Sequence, residues 1–307
     1  MRRRQVMALL AATATAALAG CGDSSSALQL ARSGRPVVLT TFTVIADMAR
    51  QVAGDRLEVV SLTKVGAEVH GYEPTPGDIA KAVHADLVLV AGMGLDAWFD
   101  RFLQEVRAPH VTVSAGVEEI AIRGDVHAGA PNPHAWMSPA GGRLYVQNMI
   151  DAFCALDPGH AAAYAADGAA YQGRIQEIED ELTTALAQLP PEHRVLVTCE
   201  GAFSYLARDA GLEERYLWPV NAEQQATPQQ VAGVIEAVRA RQVPAVFCES
   251  TVSDRPMQQV VEATGTRFGG TLYVDSLSAA DGPVPTYLDL LRHDTELIVA
   301  GLRGESA

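Results

Sequence analysis

The sequence predicts an α/β protein of two similar lobes, each a mainly parallel four-stranded sheet with flanking helices, joined by one long rigid α-helix. Three observations predict it. From residue 36, short β-rich runs alternate with helical stretches, the pattern of a parallel sheet. From Asp157 to Leu189 the alternation stops, and after Pro158 a stretch rich in Ala, Glu and Gln runs without a further Pro. After Pro191 the alternation resumes. The expected organisation is an N-terminal lobe over 36–140, linking helices over 141–190 and a C-terminal lobe over 191–307.

Each element has a local reason. Residues 36–41, 57–62, 86–91 and 110–113 are β-branched or apolar runs, and the continuous apolar run at 87–90 predicts a strand buried on both faces. Between them, 44–52, 76–83 and 95–106 have helical spacing; Gly54 ends the first and Pro76 opens the second. Asp157-Pro158 reads as an N-terminal cap and Leu189-Pro190-Pro191 as a stop, giving a helix of roughly 45 Å. Gly168 and Gly173 are places where it can kink. In the second lobe, strands are expected at 195–199, 216–220, 245–248 and 272–274, with helices at 228–241, 255–263 and 287–302.

The first 35 residues read differently. Arg2-Arg3-Arg4 precedes an Ala-rich apolar run over 6–19 that is too short to span a bilayer comfortably. Leu18-Ala19-Gly20-Cys21 resembles a bacterial lipobox, so residues 1–20 are expected to be a lipoprotein signal peptide. Residues 21–35 then comprise an acylated Cys21 and a polar tether, anchored to a membrane on the extracytoplasmic side. Three cysteines remain, Cys154, Cys199 and Cys248. Their odd number forbids complete pairing; Cys199 and Cys248 end two similar apolar runs and could lie near each other, but all three are expected to be small core residues. The net charge of −14 argues against nucleic acid as a partner, because phosphate binding needs clustered Lys and Arg.

Ligands of open parallel sheets bind beyond the C-terminal ends of the strands. The residues there include His70 and His134 in the first lobe, and Glu200 and Asp275 in the second. Two imidazoles and two carboxylates, one pair of donors from each lobe, form a chemically sensible set for a metal. Pro74 and Pro76 stiffen the loop of His70, and Pro133 and Pro139 flank that of His134. His84, His110, His127, His160, His193 and His293 read as surface residues.

From about Val37 to Leu302 the chain resembles the metal-binding solute-binding proteins of ABC importers that handle Mn, Zn and Fe. The resemblance rests on His70-Gly71-Tyr72-Glu73-Pro74-Thr75-Pro76 and Asn132-Pro133-His134-Ala135-Trp136. It also rests on Glu249-Ser250 followed by Asp254-Arg255-Pro256-Met257. It implies two lobes around a rigid linking helix, with a metal held between them by His70, His134, Glu200 and Asp275. It further implies a membrane permease and a separate ATPase as partners, with the carrier itself a monomer. The family's Asp-Pro-His reads Asn132-Pro133-His134 here, a departure expected not to touch the ligand itself. Glu249 also ends a strand; a fifth-ligand place is open to it, but an outer-shell or structural role is the expectation, with Arg255 as a candidate partner.

The third position discriminates between metals. The zinc branch usually has His there, often with a His-rich acidic loop before the second ligand; this chain has Glu200, and residues 117–133, before His134, hold one His, His127. The sequence resembles the manganese branch better. Oxygen-rich sites also suit Mn²⁺, whereas Zn²⁺ favours four-coordinate N and S donors. Mn²⁺ is the expected cargo, with Zn²⁺ and Fe²⁺ as alternatives. A metallohydrolase would need an acid or base in reach, for which Glu249 is the spare candidate. A haem or chelate carrier would need an aromatic or Arg-rich cleft. Surface adhesion stands as a secondary role that the sequence leaves open.

Overall fold

In a computed structural model of the chain, residues 34–103, 106–123, 127–220 and 226–305 are described. The expected signal peptide, Cys21 and most of the tether lie outside the described residues. The first sheet contains β1 (Val37–Thr40), β2 (Glu58–Ser61), β3 (Leu87–Val90) and β4 (His110–Thr112), all parallel, in the order β2-β1-β3-β4. The unbroken Val and Leu runs of β1 and β3 fit their central places, where every residue is buried. β2 and β4 are edges and are partly exposed. Helices α1 (Thr43–Ala53), α2 (Pro76–Val83) and α3 (Ala97–Leu103) connect them. The strand order reverses between β1 and β3, so the loops beyond these strands diverge and open a crevice.

The second lobe contains β5 (Val195–Glu200), β6 (Glu213–Trp218), β7 (Ala245–Glu249) and β8 (Arg267–Leu272), with α6 (Ser204–Ala210), α7 (Pro228–Arg241) and α8 (Arg255–Thr264). Its strands form two parallel ladders, β5-β6 and β7-β8, where the sequence predicts a single four-stranded sheet. β5 and β7 lie side by side, with the Glu249 carboxylate accepting from the Glu200 N–H. A disulfide links Cys199 to Cys248 with their Cα atoms 4.9 Å apart. The expectation of separate core thiols is thereby corrected; Cys154 is the free cysteine among the described residues. β8 starts at Arg267 rather than 272. Gly269-Gly270 is a weak strand signal, but Gly269 is needed, since a Cβ there would meet Cε1 of Phe247 at 2.4 Å. The short helix α6, ended by Gly211 in the left-handed region, gave no periodic signal.

Between the sheets run α4 (Pro139–Leu156) and α5 (Ala161–Ala187), joined by a 3-10 turn at Pro158–His160. Asp157 does not cap α5. Its carboxylate instead accepts from the Tyr164 hydroxyl at 2.8 Å and pairs with the His160 ring at 2.7 Å. α5 is unbroken over about 40 Å. Its buried residues Tyr164, Gly168, Tyr171, Ile175, Ile178, Leu182 and Leu186 make one stripe at helical spacing. That stripe packs against α1, α4 and α9 (Tyr287–Leu302). Gly168 is a point of close approach rather than a kink, because a Cβ there would meet Cδ1 of Ile150 at 2.3 Å. One apolar core therefore runs from Val38 in the first lobe, along α5, to Leu302 in the second. Cross-lobe hydrogen bonds reinforce it, from Leu277 N to Thr43 Oγ1 at 3.1 Å and from Tyr287 N to Asp47 Oδ2 at 2.9 Å.

Candidate metal centre

His70, His134, Glu200 and Asp275 meet at the cleft between the lobes. His70 comes from the loop after β2. Thr75 and Asp78 form a reciprocal cap on α2, Pro76 opens that helix, and the Trp98 indole donates to Val69 O at 2.8 Å. The backbone N–H of His70 donates to Glu68 at 2.9 Å. His134 begins a 3-10 turn at Ala135–Met137 and is completely buried. Its ring lies 5.2 Å from that of Trp136, whose indole donates across the cleft to Val274 O at 3.1 Å. Glu200 is the last residue of β5, and its N–H donates to Glu249 Oε2 at 3.1 Å. Asp275 lies three residues past β8, and its neighbour Ser276 accepts from Gly66 N of the first lobe at 2.6 Å.

The donor atoms are spaced as ligands of one ion would be. Nε2 of His70 is 3.1 Å from Nε2 of His134, 3.4 Å from Glu200 Oε1 and 3.9 Å from Asp275 Oδ2. Nε2 of His134 is 3.7 Å from Glu200 Oε1 and 3.7 Å from Asp275 Oδ1. Bonds of about 2.1 Å in a tetrahedral shell set neighbouring ligand atoms about 3.4 Å apart. Among the described residues neither carboxylate oxygen of Asp275 has a hydrogen-bond partner, although both are buried. A buried acid lacking donors is expensive unless a cation satisfies it.

The electrostatics agree. Burial lowers the His70 pKa to about 4, with a further push from the charge of His127. Burial, and then His70, hold His134 well below the usual imidazole range. Both rings are thus neutral and ready to ligate at neutral pH. Burial raises Asp275 well above the usual carboxylate range, with Glu200 and Glu68 adding to it. Burial also lifts Glu249 to about 8.

Three expectations are corrected. Glu249 contacts the Glu200 backbone and forms no ion pair with Arg255 among the described residues; Arg255 lines a separate cavity with Trp218, Val231 and Gln259. Asn132 does touch the ligand, with Oδ1 2.9 Å from Nδ1 of His134. His127 is not a remote surface residue, since it is half-buried and near enough to act on His70.

Residues 38–301 match the family model described as "Zinc-uptake complex component A periplasmic". The chain belongs to this family of periplasmic metal-binding proteins of ABC importers. Among its relatives, the "Iron-binding protein YfeA" of Yersinia pestis is 46% identical over 96% of this chain and 94% of its own length. The "Manganese ABC transporter substrate-binding lipoprotein PsaA" of Streptococcus pneumoniae is 32% identical, over 86% of this chain and 88% of its own. A solved structure of a Mn-bound periplasmic metal-binding protein from Candidatus Liberibacter asiaticus superposes with a TM-score of 0.83. That protein is 37% identical, and the match covers 87% of this chain and 100% of that one. The zinc-uptake family is therefore mixed in metal: relatives of this chain are named for iron and for manganese.

Proposed function

We propose that the protein captures Mn²⁺ through His70, His134, Glu200 and Asp275 and delivers it to the permease and ATPase of an ABC importer. It would do so as a monomer outside the cytoplasm, held to the membrane by lipid on Cys21. Residues 36–140 and 191–307 would be the two lobes and 141–190 their linker. The convergence of these four donors from both lobes, His134, Glu200 and Asp275 buried and His70 partly so, carries the reading. Two carboxylates and two imidazoles, with no thiolate among them, form an oxygen-rich set that suits Mn²⁺. The lipobox at Cys21 and a disulfide, which persists in oxidising compartments, support the location. A carrier fits better than a hydrolase, since the spare acid Glu249 is buried and turned to a backbone amide.

Fe²⁺ is the second reading, favoured by the 46% identity to a protein named for iron binding. Its oxygen and imidazole preferences overlap those of Mn²⁺. The test is competition: strip the mature protein with chelator, offer equal Mn²⁺, Fe²⁺ and Zn²⁺ anaerobically, and count the bound metal by mass spectrometry. Selection among carboxylate-compatible ions, with Glu200→His shifted towards Zn²⁺, is the expected result. Zn²⁺ alone in both proteins would contradict a carboxylate-tuned site.

A further inference from the structure

Two backbone groups fix the orientation of the Asn132 side chain. Its Oδ1 lies 3.1 Å from the backbone N–H of His134, which can only donate. Its Nδ2 lies 2.6 Å from the backbone carbonyl of Gly201, which can only accept. A flipped amide would set donor against donor at one end and acceptor against acceptor at the other. The same Oδ1 is 2.9 Å from Nδ1 of His134. An amide oxygen has no proton to give, so Nδ1 must carry one. Nε2 then keeps its lone pair, and Nε2 is the atom that faces His70, Glu200 and Asp275.

The other end of the side chain belongs to the opposite lobe. Gly201 follows Glu200 directly, and Nδ2 also reaches Ser204 Oγ at 3.3 Å. The Ser204 hydroxyl donates in turn to Glu214 Oε2 at 2.5 Å. The Tyr205 hydroxyl donates to the Asn132 backbone carbonyl at 2.8 Å, and Asn132 is 3% exposed. Every donor in this network has an acceptor, so the amide has a single arrangement.

We infer that Asn132 is a positioning residue for the metal site: its one amide sets the His134 tautomer and clasps the His134 loop to the Glu200 loop across the cleft. The inference rests on the reading of His134 as a ligand. A carboxylate at this position, as the family pattern has it, would still accept from Nδ1–H of His134. It would, however, face the Gly201 carbonyl oxygen to oxygen. An amide serves both lobes at once, so the departure from the family pattern has a use: a ligand from each lobe is pre-set before the ion arrives.

The test reads imidazole tautomers in the metal-free, ¹⁵N-labelled protein by long-range proton–nitrogen correlation. His134 is expected as the Nδ1–H form. Asn132→Ala should lose that exclusive form, and Asn132→Asp should restore it, which a purely space-filling role would not do. Mn²⁺ affinity of Asn132→Ala should fall on the order of 10- to 100-fold. An Nε2–H tautomer of His134 in the wild-type protein would overturn the inference whether or not the variants fold. So would an Asn132→Ala protein that binds Mn²⁺ within about twofold of wild type. A wild-type protein that binds no Mn²⁺, Fe²⁺ or Zn²⁺ would instead sink the import reading, while the metal-free tautomer still decides this one.

Discussion

At the scale of single residues, the site is a set of groups whose burial disfavours charge until a dication arrives. His70 and His134 are kept neutral by burial, and Asp275 is held towards its protonated form by burial, Glu200 and Glu68. The sign of the pH dependence follows. A metal binds the ionised carboxylate, so loading displaces the Asp275 proton, and affinity falls as pH falls. The loss should be roughly tenfold per pH unit for each proton displaced. His70 protonation adds to it only as the pH nears about 4. Calorimetry of metal binding in buffers of different ionisation enthalpy should show proton release that grows as the pH is lowered and disappears in Asp275→Asn. Release unchanged in that variant would place the proton elsewhere. The four donors were legible in the sequence because each sits at or beyond the end of a strand in a distinctive local setting, two of them in loops stiffened by prolines. The contacts of Asn132, Glu68 and His127 were not, because each depends on which loop the fold brings alongside.

At the scale of elements, the long helix was legible as a run without strand signals, but its glycines were misread as points of bending. Gly168 is buried where α5 meets Ile150 of α4 and Val52 of α1, whereas Gly173 is exposed and meets nothing. The same substitution should therefore have opposite signs. Gly173→Ala should stabilise the protein by about 0.5–1 kcal/mol through helix propensity. Gly168→Ala should destabilise it by about 1–3 kcal/mol, because overpacking the crossing outweighs the propensity gain. Urea unfolding of the two variants checks this, and equal shifts would contradict the close crossing. The second lobe was less legible than the first. The continuous Val and Leu of β1 and β3 announce central strands, while β8 contains two glycines and β6 opens on Glu213-Glu214-Arg215. The pairing of Cys199 with Cys248 could not follow from spacing alone, since it requires β5 and β7 to be neighbours. Once paired, it ties the strand of Glu200 to the strand of Glu249, whose carboxylate holds the Glu200 amide.

At the scale of the whole molecule, the two lobes share one core along α5 and are bonded across the cleft on either side of Asp275. Large hinge opening would break that core, so exchange of the ion is expected to proceed through rearrangement of the loops that carry the ligands. Membership of the family fixes the role as the metal-binding component of an importer, and the identity of the cargo turns on how the carboxylates weigh against the imidazoles. The central claim is that the ion sits between the lobes on donors from both. Its most direct test is metal counting by mass spectrometry on chelator-stripped, Mn²⁺-reloaded protein, comparing wild type with a His70→Ala/Asp275→Ala double variant of confirmed fold. The wild type should carry stoichiometric metal and the variant none above background. Equal loading of the two proteins would contradict the claim.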